Sequence, residues 1–332
     1  MTATIDCFDA ALPHGITLSC RAAGPVDAPR LLFVHGFPEA AFVWDEVMLA
    51  LADRYRCIAP NLRGYERSSA PAEVEAYRAK HLMADLAALI AQTGSGPLAA
   101  LVAHDWGGAV AWNLAVQRPE LMQRLVIINS PHPGTFAREL QHSAAQQQAS
   151  AYMNFFCRND AAELLAQNDF ARLWPAFTRM GAAWLTEAVK EQYRAVWRRG
   201  LQGGLNYYRA SPLRPPTADD PGALKVQFAP EFVTVRVPTR VIWGLEDTAL
   251  PPALLDGLEE FVPDLHITRV PGATHWIVHE QPRLVVQEIE AALSPGAGPP
   301  QAGTEPPRGV VRYSAPGANS QSRLSNSLSM AT

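Results

Sequence analysis

His104-Asp105-Trp106-Gly107-Gly108 follows a short apolar run, Leu98 to Ala103, and precedes good helix formers from Ala109 to Gln117. A strand, a tight turn and a helix, with small residues two positions either side of the turn's centre, form the setting in which G-x-S-x-G exposes a nucleophilic serine. Here the small residues are Ala103 and Gly107 and the central residue is Asp105; no G-x-S-x-G occurs elsewhere in the chain. A carboxylate nucleophile forms an ester that belongs to the enzyme, by attacking a carbon that carries a leaving oxygen or halide. The residue type therefore argues against ordinary ester or peptide cleavage. The competing reading of Asp105 is a side chain that caps the helix after it, a common place for Asp.

Such a turn needs a sheet behind it. Residues 2 to 8 and 16 to 22 read as two strands around Pro13-His14-Gly15, and Arg30 to Val34 and Arg56 to Ala59 as two more. Leu82, Leu86, Leu89 and Ile90 share one face of a helix over residues 77 to 92, and Leu125 to Ile128 reads as a further buried strand. This alternation predicts an α/β fold with a mostly parallel sheet covered on both faces. It breaks at Pro131-His132-Pro133. From 134 to 215 only helix signals occur, with dense aromatic residues, which reads as a helical cap inserted between two α/β halves. Strands resume at Thr239 to Trp243 and Ile267 to Val270, before a last helix at Arg283 to Leu293. The expected organisation is a core of residues 1–133 and 216–293, a cap of 134–215, and a tail of 294–332 whose Pro, Gly, Ser and Asn composition cannot bury enough surface to order itself.

Composition narrows the function classes. The chain has 332 residues, 48% of them hydrophobic, and a net charge of -4 with no basic stripe, which argues against nucleic-acid and anionic-membrane partners. Cys7, Cys20, Cys57 and Cys157 lack C-x-x-C spacing, so they are expected as reduced thiols, most of them buried, with no zinc or redox motif. The N-terminus shows no secretory pattern, and no apolar run approaches the roughly 18 residues of a membrane span. A cytoplasmic protein is the expectation.

Six motifs, in order, carry a resemblance over about residues 5 to 293: His35-Gly36-Phe37-Pro38-Glu39, Arg63-Gly64-Tyr65, the Asp105 turn, Leu205-Asn206-Tyr207-Tyr208-Arg209, Trp243-Gly244-Leu245-Glu246-Asp247 and Gly272-Ala273-Thr274-His275-Trp276. The chain resembles the α/β-hydrolase superfamily and, within it, the epoxide hydrolases that use an aspartate nucleophile. The resemblance implies the α/β-hydrolase fold, with Asp105 as nucleophile, His275 as base and Asp247 as the carboxylate that orients the imidazole. His279 and Glu246 are the nearest rivals for the last two roles. Backbone N–H groups of Phe37 and Trp106 are implied as the oxyanion hole, and a cis bond is frequent before Pro38 in this family. Two cap tyrosines, Tyr152 and Tyr208, are implied as the acids at the epoxide oxygen; Tyr193 and Tyr207 are expected in packing roles. His35, Pro38, Met153 and Phe156 are expected around the substrate pocket, with His35 and His104 also expected as structural hydrogen-bonders.

The implied reaction converts a small hydrophobic epoxide and water to a vicinal diol, with no metal or organic cofactor; a homodimer stays open. Two other readings remain. A haloalkane or haloacid dehalogenase shares the aspartate, histidine and acid, although Phe37 and Trp106 stand where those enzymes usually carry Asn and Arg. A non-catalytic ligand-binding protein on the same scaffold is the alternative from another class. One departure is Glu66, where the family usually has Gly; a positive φ there would strain the chain by roughly 1 kcal/mol.

Overall fold

The computed structural model describes residues 3–179 and 182–294. Its eight strands are β1 (Asp6–Ala11), β2 (Thr17–Ala23), β3 (Arg30–Val34), β4 (Arg56–Pro60), β5 (Ala100–His104), β6 (Leu125–Ile128), β7 (Thr239–Gly244) and β8 (Leu265–Val270). They form one sheet in the order β1-β2-β4-β3-β5-β6-β7-β8. β1, β2 and β4 are joined by antiparallel ladders; every pairing from β4 onward is parallel. β3, β5 and β6 are buried at every position, as parallel strands covered on both faces must be. β1 opens four residues later than the sequence reading places it and runs to Ala11.

The helices of the sheet region are α1 (Asp45–Leu51), which the sequence reading does not contain, α2 (Ala79–Gln92) and α3 (Asp105–Gln117). Between β6 and β7 come α4 (Pro133–His142), α5 (Ala144–Ala149), α6 (Tyr152–Phe156), α7 (Ala161–Phe170), α8 (Trp174–Thr178), α9 (Glu187–Trp197) and α10 (Gln202–Ala210). After β8 follow α11 (Ile277–Glu280) and α12 (Pro282–Leu293). The insertion is tied to the sheet region by aromatic packing. Phe177 lies against Trp276 with ring centroids 4.3 Å apart, and Trp197 donates its indole N–H to the Pro38 carbonyl at 2.7 Å. Of the expected tail, only Ser294 belongs to the described residues.

Strand order decides where the site lies. The chain runs from β3 outward to β4 and then returns to β5 on the other side of β3. Ligand crevices in open α/β sheets form outside the carboxyl ends of the strands at such a switch. The register aligns those ends: Val34 lies opposite Ala103, Ile128 opposite Ile242, and Gly244 opposite Val270.

Two smaller readings are settled here. Only Cys20 and Cys57 are buried; Cys7 is exposed on the edge strand and Cys157 half-buried in the insertion, so half of the thiols rather than most are enclosed. Glu66 does adopt a left-handed conformation, with φ of 51°. Its carboxylate offsets the strain by accepting from the Ser19 hydroxyl at 2.8 Å and the Arg67 N–H at 2.6 Å.

Candidate active site

Asp105 takes a φ of 50°, a conformation that costs an L-residue roughly 1–2 kcal/mol and persists only when its surroundings enforce it. Two glycines make it feasible. A β-carbon on Gly36 would lie 2.1 Å from Asp105 Oδ1, and one on Gly107 would lie 2.4 Å from the Val34 carbonyl oxygen. The side chain does not cap α3: the N-cap position is His104 and makes no side-chain cap bond. Instead the Phe37 N–H donates to Asp105 Oδ1 at 2.7 Å, and the Ser130 hydroxyl holds the Asp105 carbonyl at 2.6 Å. Trp106, second in α3, has a backbone N–H without an intrahelical acceptor. The bond between Phe37 and Pro38 is cis.

His275 comes off the turn after β8. Its Nδ1 meets Asp247 Oδ2 at 2.6 Å, and its Nε2 lies 3.7 Å from Asp105 Oδ2. Burial alone would depress the imidazole pKa; the adjacent Asp247 carboxylate outweighs it and, with Asp105 and Glu39, raises the value to about 9. Asp247 is buried, which works against its ionisation. His275, the Leu250 N–H and Asn129 nonetheless hold its pKa below the usual carboxylate value. Asp247 Oδ1 accepts from the Ala249 and Leu250 N–H groups, each at 2.9 Å, and Oδ2 also accepts from Asn129 Nδ2 at 2.8 Å. Glu246, the rival acid, makes no contact with the imidazole among the bonds described.

Tyr152 and Tyr208 come from α6 and α10 and stand 6.1 Å apart, centroid to centroid. Both line, with Asp105, Trp106 and Met153, a cavity of about 670 Å³. Burial, reinforced by Asp105, pushes both phenol pKa values up, so both hydroxyls keep their protons at neutral pH. Tyr208 sits edge-on to Trp106 at 5.0 Å. Tyr193 and Tyr207 instead spend their hydroxyls on Glu39 and the Arg63 carbonyl, each at 2.9 Å.

Three residues expected in the pocket wall are placed behind it. His35 is fully buried: its Nε2 accepts from the Leu62 N–H at 3.0 Å, its Nδ1 donates to the Gly36 carbonyl at 2.9 Å, and burial lowers its pKa to about 4. This neutral ring is a brace for the loop, matching its other expected role. Pro38 is used through its carbonyl by Trp197, and the Phe156 ring backs Tyr208 at 5.0 Å. His275 is likewise not part of the cavity wall and reaches the site through Asp105.

Two residues were not assigned roles from sequence. One is Asn129, which follows β6 with a φ of 38° and bonds both Asp247 and the Gly244 N–H. The other is Glu39, which gathers His104, expected as a structural hydrogen-bonder, with Tyr193 and His279. Its Oε2 meets His104 Nδ1 at 2.9 Å, and its Oε1 meets Tyr193 Oη at 2.9 Å and His279 Nε2 at 3.1 Å. His104 Nε2 in turn donates to the His275 carbonyl at 2.9 Å. Both His104 nitrogens thus meet oxygen acceptors, a carbonyl on one side and a carboxylate on the other. Burial opposes ionisation of Glu39, but the bonds from His104 and His279 pull its pKa well below the usual carboxylate range. His279 is thus a packed, bonded residue, stacked on Trp184 at 4.1 Å.

Comparison with known proteins places this geometry in context. The alpha/beta hydrolase fold family matches residues 29–282. The chain is 38% identical to the AB hydrolase superfamily protein YfhM of Bacillus subtilis, over 83% of this chain and 94% of that one. It is 30% identical to Epoxide hydrolase 4 of Mus musculus, over 86% of this chain and 79% of the other. Among solved structures, an epoxide hydrolase from hot-environment metagenomes superposes with a TM-score of 0.79 at 37% identity, covering 88% of this chain and 99% of that one.

Proposed function

The chain belongs to the α/β-hydrolase fold family, and we propose that it is an epoxide hydrolase that opens its substrate through a covalent ester on Asp105. The observation that carries this reading is the division of labour around one carboxylate. Oδ1 is held by the Phe37 N–H, while Oδ2 is left toward His275 at 3.7 Å, beyond hydrogen-bond length. The two protonated phenols share its cavity.

In the first step Asp105 Oδ2 attacks an epoxide carbon, the carbon–oxygen bond breaks, and the ring oxygen takes a proton from Tyr152 or Tyr208. Esterification removes the negative charge of Asp105, one of the influences that raise the His275 pKa. The imidazolium then gives up its proton more readily, to the tyrosinate left by the first step, and becomes a base. In the second step neutral His275, oriented by Asp247, deprotonates a water that attacks the ester carbonyl. Oδ1 becomes the oxyanion, stabilised by the Phe37 and Trp106 N–H groups. The bond between the acyl carbon and Oδ2 breaks, the departing alkoxide takes its proton from the His275 imidazolium, and the vicinal diol leaves; the carboxyl group left on Asp105 then returns its proton to His275. Small hydrophobic epoxides suit the aromatic wall at this end of the cavity.

A product assay tests the proposal. Aryl and alkyl epoxides are scored for diol, and bromoalkanes and fluoroacetate for halide, with Asp105→Ala as control. Diol that disappears in the variant is the expected result. Halide release without diol points to a dehalogenase, and neither product from folded protein removes the proposal.

A further inference from the structure

The helix that carries Tyr208 opens on two consecutive glycines, Gly203 and Gly204, both buried. Glycine is the poorest helix former after proline, so a pair of them in the first turn of the nine-residue α10 calls for a packing reason. The reason is the Arg63-Gly64-Tyr65 loop, which α10 meets backbone to backbone. A β-carbon on Gly203 would lie 2.4 Å from Gly64 Cα and 2.5 Å from the Gly64 carbonyl oxygen. One on Gly64, whose φ is 88°, would lie 2.7 Å from Gly203 Cα. One on Gly204 would lie 2.8 Å from the Phe37 ring and 3.2 Å from Tyr65 Cζ.

Residues four apart share a helix face, which stacks Gly203 with Tyr207 and Gly204 with Tyr208. The Tyr207 hydroxyl donates to the Arg63 carbonyl at 2.9 Å. Two points on α10, one turn apart, are therefore held by two adjacent loop residues, Arg63 and Gly64. The loop is itself fixed. The Arg63 guanidinium donates to both oxygens of buried Asp85 in α2, at 2.8 and 2.6 Å, and to the Ala76 carbonyl at 2.8 Å. The Gly64 N–H donates to the Ser69 carbonyl at 2.9 Å. The path from the sheet region to the Tyr208 backbone thus crosses no flexible side chain. α6, which carries Tyr152, is seated differently: its Phe156 ring packs on Phe37 with centroids 5.1 Å apart, and Asn154 bonds the Pro215 carbonyl at 3.2 Å.

We propose that the Gly64–Gly203 contact sets the height of Tyr208 over Asp105, which makes Gly203 a positioning residue for proton transfer to the epoxide oxygen. This rests on the epoxide hydrolase reading. A methyl group at position 203 must push the two backbones apart by about 1 Å to reach an ordinary contact. Misplacing a reacting group by that much costs up to about 10²-fold in rate. The loss belongs to ring opening, because ester hydrolysis uses His275, Asp247 and the Phe37 and Trp106 N–H groups.

The test compares wild type, Gly203→Ala, Tyr208→Phe and the double variant in single turnovers of styrene oxide and 1,2-epoxyoctane. Ester formation and ester hydrolysis are read separately by rapid quench and intact mass spectrometry. Gly203→Ala is expected to slow ester formation about 30-fold and to leave ester hydrolysis unchanged. In the Tyr208→Phe background it should change ester formation by less than about twofold, since the acid it positions is already gone. Equal slowing of both steps, a full further loss in Tyr208→Phe, or an unchanged rate overturns the proposal. Crystal structures give a readout independent of turnover: Tyr208 Oη should move about 1 Å away from Asp105 in Gly203→Ala. A Tyr208 that stays in place also overturns it. If wild type opens neither epoxide and the displacement is seen, the epoxide hydrolase reading fails while the placing of Tyr208 by the glycine contact stands. Should Gly203→Ala not fold, Tyr207→Phe removes only the bond to Arg63 and is expected to slow ester formation about threefold with ester hydrolysis unchanged. Equal slowing of both steps in that variant, or of neither, overturns the proposal.

Discussion

Two loops at the same end of the sheet each carry an aspartate, and they treat it in opposite ways. After β7, Asp247 is enclosed and saturated: two backbone N–H groups, Asn129 and His275 occupy both of its oxygens. After β5, Asp105 receives one backbone N–H on one oxygen, faces the cavity with the other, and is held in a left-handed backbone conformation. A carboxylate with every lone pair engaged is a fixed charge that can orient a neighbour. One with a free oxygen, aimed by backbone strain, can form a bond. In the proposed mechanism the same residue type serves two purposes because the loops differ in how many donors they present.

The largest test of this contrast exchanges the roles chemically. Asp105→Asn should abolish diol formation, with a loss of at least about 10⁴-fold, because an amide has no anionic oxygen to attack with. His275→Gln should leave ester formation and block its hydrolysis. Steady-state turnover should fall on the order of 10³-fold while the protein mass rises by one substrate, read by intact mass spectrometry. Absence of that adduct, with the protein folded, breaks the two-step scheme. Tyr208→Phe should cost about 10²-fold in the opening step, appearing in the single-turnover rate of ester formation and not in ester hydrolysis.

A finer test touches only the saturated loop. Asn129→Ala removes one donor from buried Asp247 and leaves an acceptor unmet. Stability should drop by about 1–3 kcal/mol in denaturant titration, with kcat reduced roughly tenfold. A last test is one of pH. The folded His275 pKa of about 9 lies above its unfolded value of roughly 6.5, so its contribution to stability is fully present below that unfolded value and is lost as pH rises through 9. Up to about 3 kcal/mol should disappear over that window, and the loss should be absent in His275→Gln.

The contrast also separates what the sequence makes legible from what it hides. The Asp105 turn is a local object: a buried strand, small residues at fixed offsets and a helix, all within about twenty positions. The convergence of Asp105, Asp247 and His275 follows from motif order and from parallel strands in register. Asn129 and Glu39 were not assigned because their partners lie far away in the chain: Asp247 is 118 residues from Asn129, and His279 is 240 from Glu39. His35, Pro38 and Phe156 illustrate a third limit. Proximity to a motif does not say which side of the backbone faces the cavity, and hydrogen bonding to Leu62 or packing behind Tyr208 decides it. Strain at Glu66 was conditional on the turn where the family usually has Gly, and the structure supplies that condition; its compensation by Ser19, 47 residues away, has no local signal.

The central claim is that the oxygen delivered to the substrate comes from Asp105. A single turnover in ¹⁸O-labelled water, with enzyme in excess over an epoxide it accepts, tests it directly. The account predicts unlabelled diol and one ¹⁸O in the peptide containing Asp105, since water attacks the acyl carbon and its oxygen stays with the enzyme. Label in the first-turnover diol, with none in that peptide, would mean that water opens the ring itself and that Asp105 is not the nucleophile.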